Sequence, residues 1–155
     1  MRKSICLLPL AFGTFGLGMS EFVMMGILPD TAKAMNVSIP AAGNFISMYA
    51  LGVVFGSILL ICFGRAKPLK NIIFTLVSIF TIANLLLSVA GNYHIFSILR
   101  FIAGLPHGAF FGVGAIVADK LADRGKANQA VAIMVSGMTV ANLIGIPLGL
   151  SLIHI

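Results

Sequence analysis

The chain has 155 residues, of which 59% are hydrophobic and 9% charged, with a net charge of +6. With its 17 glycines the apolar share reaches about 70%, against about 45–50% in an ordinary soluble domain. Ten Lys/Arg and four Asp/Glu cannot cover the surface of a soluble globule, and the same composition excludes disorder. A polytopic membrane protein remains, with room for about five to seven spans of about 20 residues each.

Five apolar stretches follow in chain order, over 5–28, 42–63, 71–90, 95–118 and 129–150. Each is long enough to cross about 30 Å of hydrocarbon at about 1.5 Å per residue. Loop chemistry separates them: Pro29-Asp30 closes the first, Ser38-Ile39-Pro40 leads into the second, and Arg65-Ala66-Lys67-Pro68 follows it. Gly91-Asn92-Tyr93-His94 forms a tight turn, and the segment from Asp119 to Asn128 is polar. Arg2 and Lys3 before the first run resemble a signal peptide. The run continues to Leu28 without a clean small-residue cleavage site, so it is expected to stay as the first helix. Asp30 is expected to serve as a turn or cap for the short segment that follows.

The basic residues report topology. Arg2, Lys3, Arg65, Lys67, Lys70, Lys120, Arg124 and Lys126 fall on one side, against Lys33 alone on the other. The positive-inside rule then places the N-terminus in the cytoplasm. No nucleic-acid motif accompanies these charges, and no nucleic-acid partner is expected. Cys6 and Cys62 have no ligand spacing; free thiols are expected, without a disulfide framework or metal site.

Small residues recur every four positions: Gly52 and Gly56; Gly104, Gly108 and Gly112; Gly137, Ala141, Gly145 and Gly149. Such stripes let helix backbones approach closely in lipid, where no hydrophobic force drives helices together. They serve tight packing, or seams that also slide during transport.

Two charges lie inside spans, where each costs about 2.5–3.5 kcal/mol on insertion scales. Glu21 sits about 10 Å in from the outer end of the first span, and Arg100 about 7–8 Å in from the outer end of the fourth. At such similar heights they can form a pair or share a wet cavity. The plain role is a static ion pair locking two helices. The functional role is a carboxylate whose proton affinity answers to burial and to a nearby cation, as proton-coupled transport requires. His107 lies two turns beyond Arg100 on the same face. It either extends this polar track or packs against a backbone carbonyl beside Pro106. Thr14, Asn84, Thr139 and Asn142 are expected to make interhelical hydrogen bonds. No HExxH or GxxxxGK[ST] occurs. Gly16-Leu-Gly18 and Gly112-Val-Gly114 lack the third glycine of a dinucleotide loop. No enzyme activity, cofactor or metal is expected.

Arg100-Phe-Ile-Ala-Gly104-Leu-Pro-His107-Gly108-Ala-Phe-Phe-Gly112 resembles the fourth helix of the major facilitator superfamily, in its drug:proton antiporter and sugar-efflux-permease-like branch. Glu21-Phe-Val-Met-Met-Gly-Ile-Leu-Pro29 is similar to that branch's first-helix signature. Tyr49-Ala-Leu-Gly52 with Gly56 fits its second helix, and Gly145-Ile-Pro147-Leu-Gly149 its antiporter motif. The resemblance covers residues 5 to about 149. In the loop Gly64-Arg65-Ala66-Lys67-Pro68-Leu69-Lys70 the basic residues remain but the family's aspartate is absent, and Gly149 is followed by Leu150 rather than a small residue.

The resemblance implies twelve helices in two six-helix halves around a central cavity. The fold expected here is an all-α membrane protein: five transmembrane helices of an incomplete N-terminal six-helix bundle. The C-terminal half of the same transporter would be its missing partner, and residues 150–155 are expected to be a non-native tail. The function implied is proton-coupled efflux of a small molecule, drug or sugar-like, across a bacterial inner membrane, the 155-residue piece alone being inactive. Glu21, Arg100 and His107 would carry proton and substrate. Gly104, Gly108, Gly112, Gly145, Pro147 and Gly149 would form the packing motifs, and Arg65, Lys67 and Lys70 the cytoplasmic loop. A membrane assembly subunit and a passive channel are the alternatives; a membrane-embedded enzyme would need a catalytic cluster, and none is visible.

Overall fold

The structure is a computed structural model that describes residues 2–64 and 67–153. Its elements are α1 (Arg2–Gly26), α2 (Leu28–Ala34), α3 (Ile39–Phe63), α4 (Leu69–Leu87), α5 (Tyr93–Leu121) and α6 (Ala127–Ile153). Among the described residues there is no strand, and five helices are long and apolar enough to cross a membrane. The chain is an all-α, multi-pass membrane protein.

Most helix ends lie beyond the apolar runs, whereas α1 ends at Gly26 and α4 at Leu87, short of them. Apolarity marks the hydrocarbon layer, whereas helical hydrogen bonding continues into the interface until something stops it. Ser38 caps α3 by accepting from the Ala41 N–H, with Pro40 in the first turn. Asn92 caps α5, its side chain accepting from the His94 and Ile95 N–H groups at 2.9 and 3.3 Å. α5 and α6 are joined through Gly125, whose φ of +77° suits glycine. Pro29, expected to close the first span, instead begins α2, because proline is tolerated in a first helical turn. Asp30 is not the cap of α2. It lies within the first turn, where a carboxylate favours the positive end of the helix dipole. α6 runs through residues 150–153, while residues 154 and 155 lie outside the described part.

Two parallel helix pairs organise the bundle, α3 on α5 and α1 on α6. Glycine brings each pair together. A Cβ at Gly52 would strike the Phe101 carbonyl oxygen, one at Gly56 that of Leu105, one at Gly104 that of Tyr49, and one at Gly108 that of Val53. Gly112 continues this seam beside the Leu60 side chain. The second stripe faces α1. Gly137 abuts the Ala11 carbonyl oxygen, Gly145 the Met19 sulfur, and Gly149 the Val23 side chain. The register advances in step along both partners of each pair, as parallel helices require. Pro147 lies within α6 on an exposed face.

α5 is the hub and touches α1, α3, α4 and α6. Its inward side buries Arg100, Ala103, His107, Phe110 and Val113. Outward faces carry large apolar side chains such as Phe12, Phe63, Phe74 and Leu143. This inverts the soluble pattern and suits a surface solvated by acyl chains. Cys62 is an exposed free thiol; the Cys6 side chain lies outside the described part.

Candidate functional site

Buried Arg100 and His107, with partly exposed Glu21, gather where α1, α3 and α5 meet. Arg100 is only 3% exposed. Its position one turn before Gly104 sets it at one end of the glycine seam between α3 and α5. There its guanidinium reaches two backbones at once. Nη1 donates to the Ser20 carbonyl of α1 at 3.0 Å, and Nε donates to the Phe45 carbonyl of α3 at 3.4 Å. The guanidinium carbon stands 4.3 Å above the Tyr49 ring, so the π face offers further charge stabilisation in a dry setting. Nη2 has no hydrogen-bond partner among the described residues. A planar fork of this kind suits the task, since a lysine would act as a point charge.

His107 is buried two turns further along α5. Its Nδ1 lies 2.8 Å from the Tyr49 hydroxyl. Its ring meets Tyr49 edge-on at 5.7 Å and stacks on Phe111 at 5.3 Å. The partner is therefore the Tyr49 hydroxyl of α3, not a backbone carbonyl beside Pro106. The same Nδ1 lies 3.7 Å from Glu21 Oε2, and the Glu21 side chain is 26% exposed.

Similar depth allows Glu21 and Arg100 to pair or to share a wet cavity. Among the described residues the ion-pair contact of Glu21 is His107, while Arg100 directs its bonded donors to carbonyls. Glu21 still lies within reach of the Arg100 charge. One carboxylate thus faces two basic groups, one able to lose its proton and one unable to. In the neutral tautomer that carries its proton on Nε2, the Tyr49 O–H donates to Nδ1. With imidazolium the Nδ1–H turns donor, toward the Tyr49 oxygen or the Glu21 carboxylate.

Ser20, Phe45 and Tyr49 complete the cluster. Ser20 and Phe45 escaped sequence reasoning because they contribute backbone carbonyls, which any residue type can supply. Tyr49 appeared only within a helix-packing signature, although a tyrosine one turn before Gly52 was a visible signal. Asn84 forms the expected interhelical bond, its Oδ1 accepting from the Ser20 hydroxyl at 2.9 Å. Thr14 likewise donates to the Met134 carbonyl of α6. Thr139 and Asn142 are exposed and outside this cluster. Lys67 and Lys70 flank the start of α4, far along the chain from the buried polar groups, and Arg65 lies outside the described residues.

Comparison with known proteins agrees with this architecture. The model of the Major Facilitator Superfamily matches residues 10–155. The chain is 53% identical over 149 residues to "Putative transporter AraJ" of Escherichia coli strain K12, covering 96% of this chain and 37% of that protein. It is 42% identical over 147 residues to "Inner membrane transport protein YdhP" of the same strain, covering 95% and 38%. To the "Chloramphenicol resistance protein" of Streptomyces lividans it is 29% identical over 140 residues, covering 90% and 36%. The chain thus spans little more than a third of the length of these curated relatives.

Proposed function

From the premise that this chain belongs to the major facilitator superfamily, we propose that it forms part of a proton-coupled exporter of small molecules. In this reading the protein sits in a bacterial inner membrane with its N-terminus in the cytoplasm. A second helical half, supplied by the rest of a longer transporter, completes a central cavity. Rocking of the two halves exposes that cavity to each side in turn, and the 155 residues alone do not transport.

The observation that carries the proposal is the position of Glu21: a partly exposed carboxylate 3.7 Å from buried His107, on the same cluster as Arg100. A proton arriving on Glu21 weakens its attraction to both basic groups, and a proton leaving restores it. The unpartnered Nη2 of Arg100 is a donor available to an acceptor on the substrate or to the Glu21 carboxylate. Intramembrane ionisable groups are expensive and generally mark ion or substrate pathways. The resistance function named for the Streptomyces relative supports a drug-like cargo, and the inner-membrane name of YdhP supports the location.

The test is Glu21→Gln in the complete transporter, reconstituted in vesicles under an imposed pH gradient. Substrate movement should lose its dependence on the gradient, whereas gradient-driven transport at the unsubstituted rate would overturn the assignment. Gradient-driven transport by the isolated 155-residue chain would overturn the two-half requirement.

A further inference from the structure

α3 and α4 follow each other along the chain, and each packs on α5, yet they scarcely pack on one another. The sequence of α4 explains this. It contains no glycine to permit a close approach, and its buried residue is Ala83, near its far end. At that end α4 is pinned, since Ala83 shares a buried cluster with Tyr49 and Ala103. Toward Leu69 its Ile73, Leu76 and Phe80 pack on the cluster of Leu10, Leu17 and Phe110 rather than on α3, while Gly56 holds α3 hard against Leu105 of α5. A cleft of about 320 Å³ opens between them.

Pro106 of α5 floors this cleft, with Leu59 and Phe63 of α3 and Ile72 and Leu76 of α4 as walls. Thr75 and Lys67 are its polar side chains. A cavity so lined offers water too few partners. Phe63 lines it with 69% of its surface exposed, so the cleft opens at the outer surface of the bundle. At its mouth stands Lys67, with Lys70 in the first turn of α4. Among the described residues no carboxylate pairs with Lys67. Asp119 belongs to the last turn of α5 and Asp123 to the connection that follows it, and neither lines the cleft.

We propose that this cleft is a binding site for an anionic phospholipid, with one acyl chain between α3 and α4 and the headgroup phosphate on Lys67. Charge complementarity selects this occupant. An apolar slot could hold any acyl chain, but an ammonium at its mouth favours a lipid of net negative charge, and basic pockets between helices near the interface recognise such headgroups. The site is separate from the Glu21 cluster and does not depend on the transport reading.

The experiment uses the full chain purified in mild detergent. It is incubated with equal amounts of phosphatidylglycerol and phosphatidylcholine carrying identical acyl chains, and retained lipid is read by native mass spectrometry. Phosphatidylglycerol should be retained about fivefold over phosphatidylcholine, the effect of one lysine near an anionic headgroup. Lys67→Gln should bring the ratio close to one, whereas Lys33→Gln, on the opposite side of the membrane, should leave it unchanged. Thr75→Trp, which fills the slot, should lower retention of both lipids. Equal retention of the two lipids by the unsubstituted chain, retention of neither, or an unchanged preference in Lys67→Gln would each overturn the proposal.

Discussion

Tyr49 and His107 are joined by a 2.8 Å hydrogen bond between the phenolic oxygen and Nδ1, buried in the seam between α3 and α5. The two rings also meet edge-on. One bond therefore ties two helices and sets the face that His107 presents to Glu21.

Tyr49→Phe removes that bond and leaves Nδ1 without its hydroxyl partner. Stability should fall by about 1–3 kcal/mol, the range for a buried polar group that loses its partner. In the complete transporter the pH profile of transport should shift as well, because the histidine loses the contact that orients it. Thermal unfolding in detergent and transport across a pH series together check both effects.

Arg100→Lys keeps the charge and loses the fork. A single ammonium cannot reproduce the donation to Ser20 and Phe45 together with the stacking on Tyr49. We expect a loss of about 2 kcal/mol, typical of hydrogen bonds to a charged group. The same unfolding assay should show Arg100→Lys markedly less stable than the parent chain.

The glycine seam predicts a contrast within one helix. Gly56→Val drives side-chain atoms into the Leu105 backbone, while a Cβ at Gly43 meets nothing within 4 Å. Gly56→Val should cost about 1–3 kcal/mol or prevent folding, as overpacking does. Gly43→Ala should match or slightly exceed the parent in stability, since alanine is the better helix former. Equal behaviour of the two variants in an unfolding series would contradict the seam.

Thr14→Val tests the α1–α6 pair. It removes the hydroxyl that bonds the Met134 carbonyl while preserving shape. Interhelical hydrogen bonds in membranes average about 0.6 kcal/mol, so a small, measurable destabilisation is expected.

Orientation is checked by labelling. In a background with Cys6 and Cys62 changed to Ser, a cysteine at His94 should react with an impermeant maleimide on intact cells. A cysteine at Lys126 should react only after the membrane is opened. The reverse pattern would place the N-terminus outside.

The sequence by itself determined the solvent and the number of spans. Composition excluded water as the medium of the outer surface, and run length set five spans, because a span's apolarity is a local property. The residues whose polarity demands explanation, Glu21, Arg100 and His107, were legible for the same reason: a charge or an imidazole within a lipid-length run stands out unaided. Helix ends were legible less well, since Ser38 and Asn92 extend helices beyond the apolar stretch by capping them. The spacing of the glycines showed that seams exist, though not which helix each seam meets. Only the tertiary structure decided that Gly104 and Gly108 face α3, while Gly145 and Gly149 face α1. It also decided that Arg100 binds two backbone carbonyls and that Glu21 meets His107 instead. The physical reason is register. Depth in the membrane follows from counting residues along one helix, but contact also depends on the rotation and neighbour of each helix. The packing of the parallel pairs α3–α5 and α1–α6 settles both.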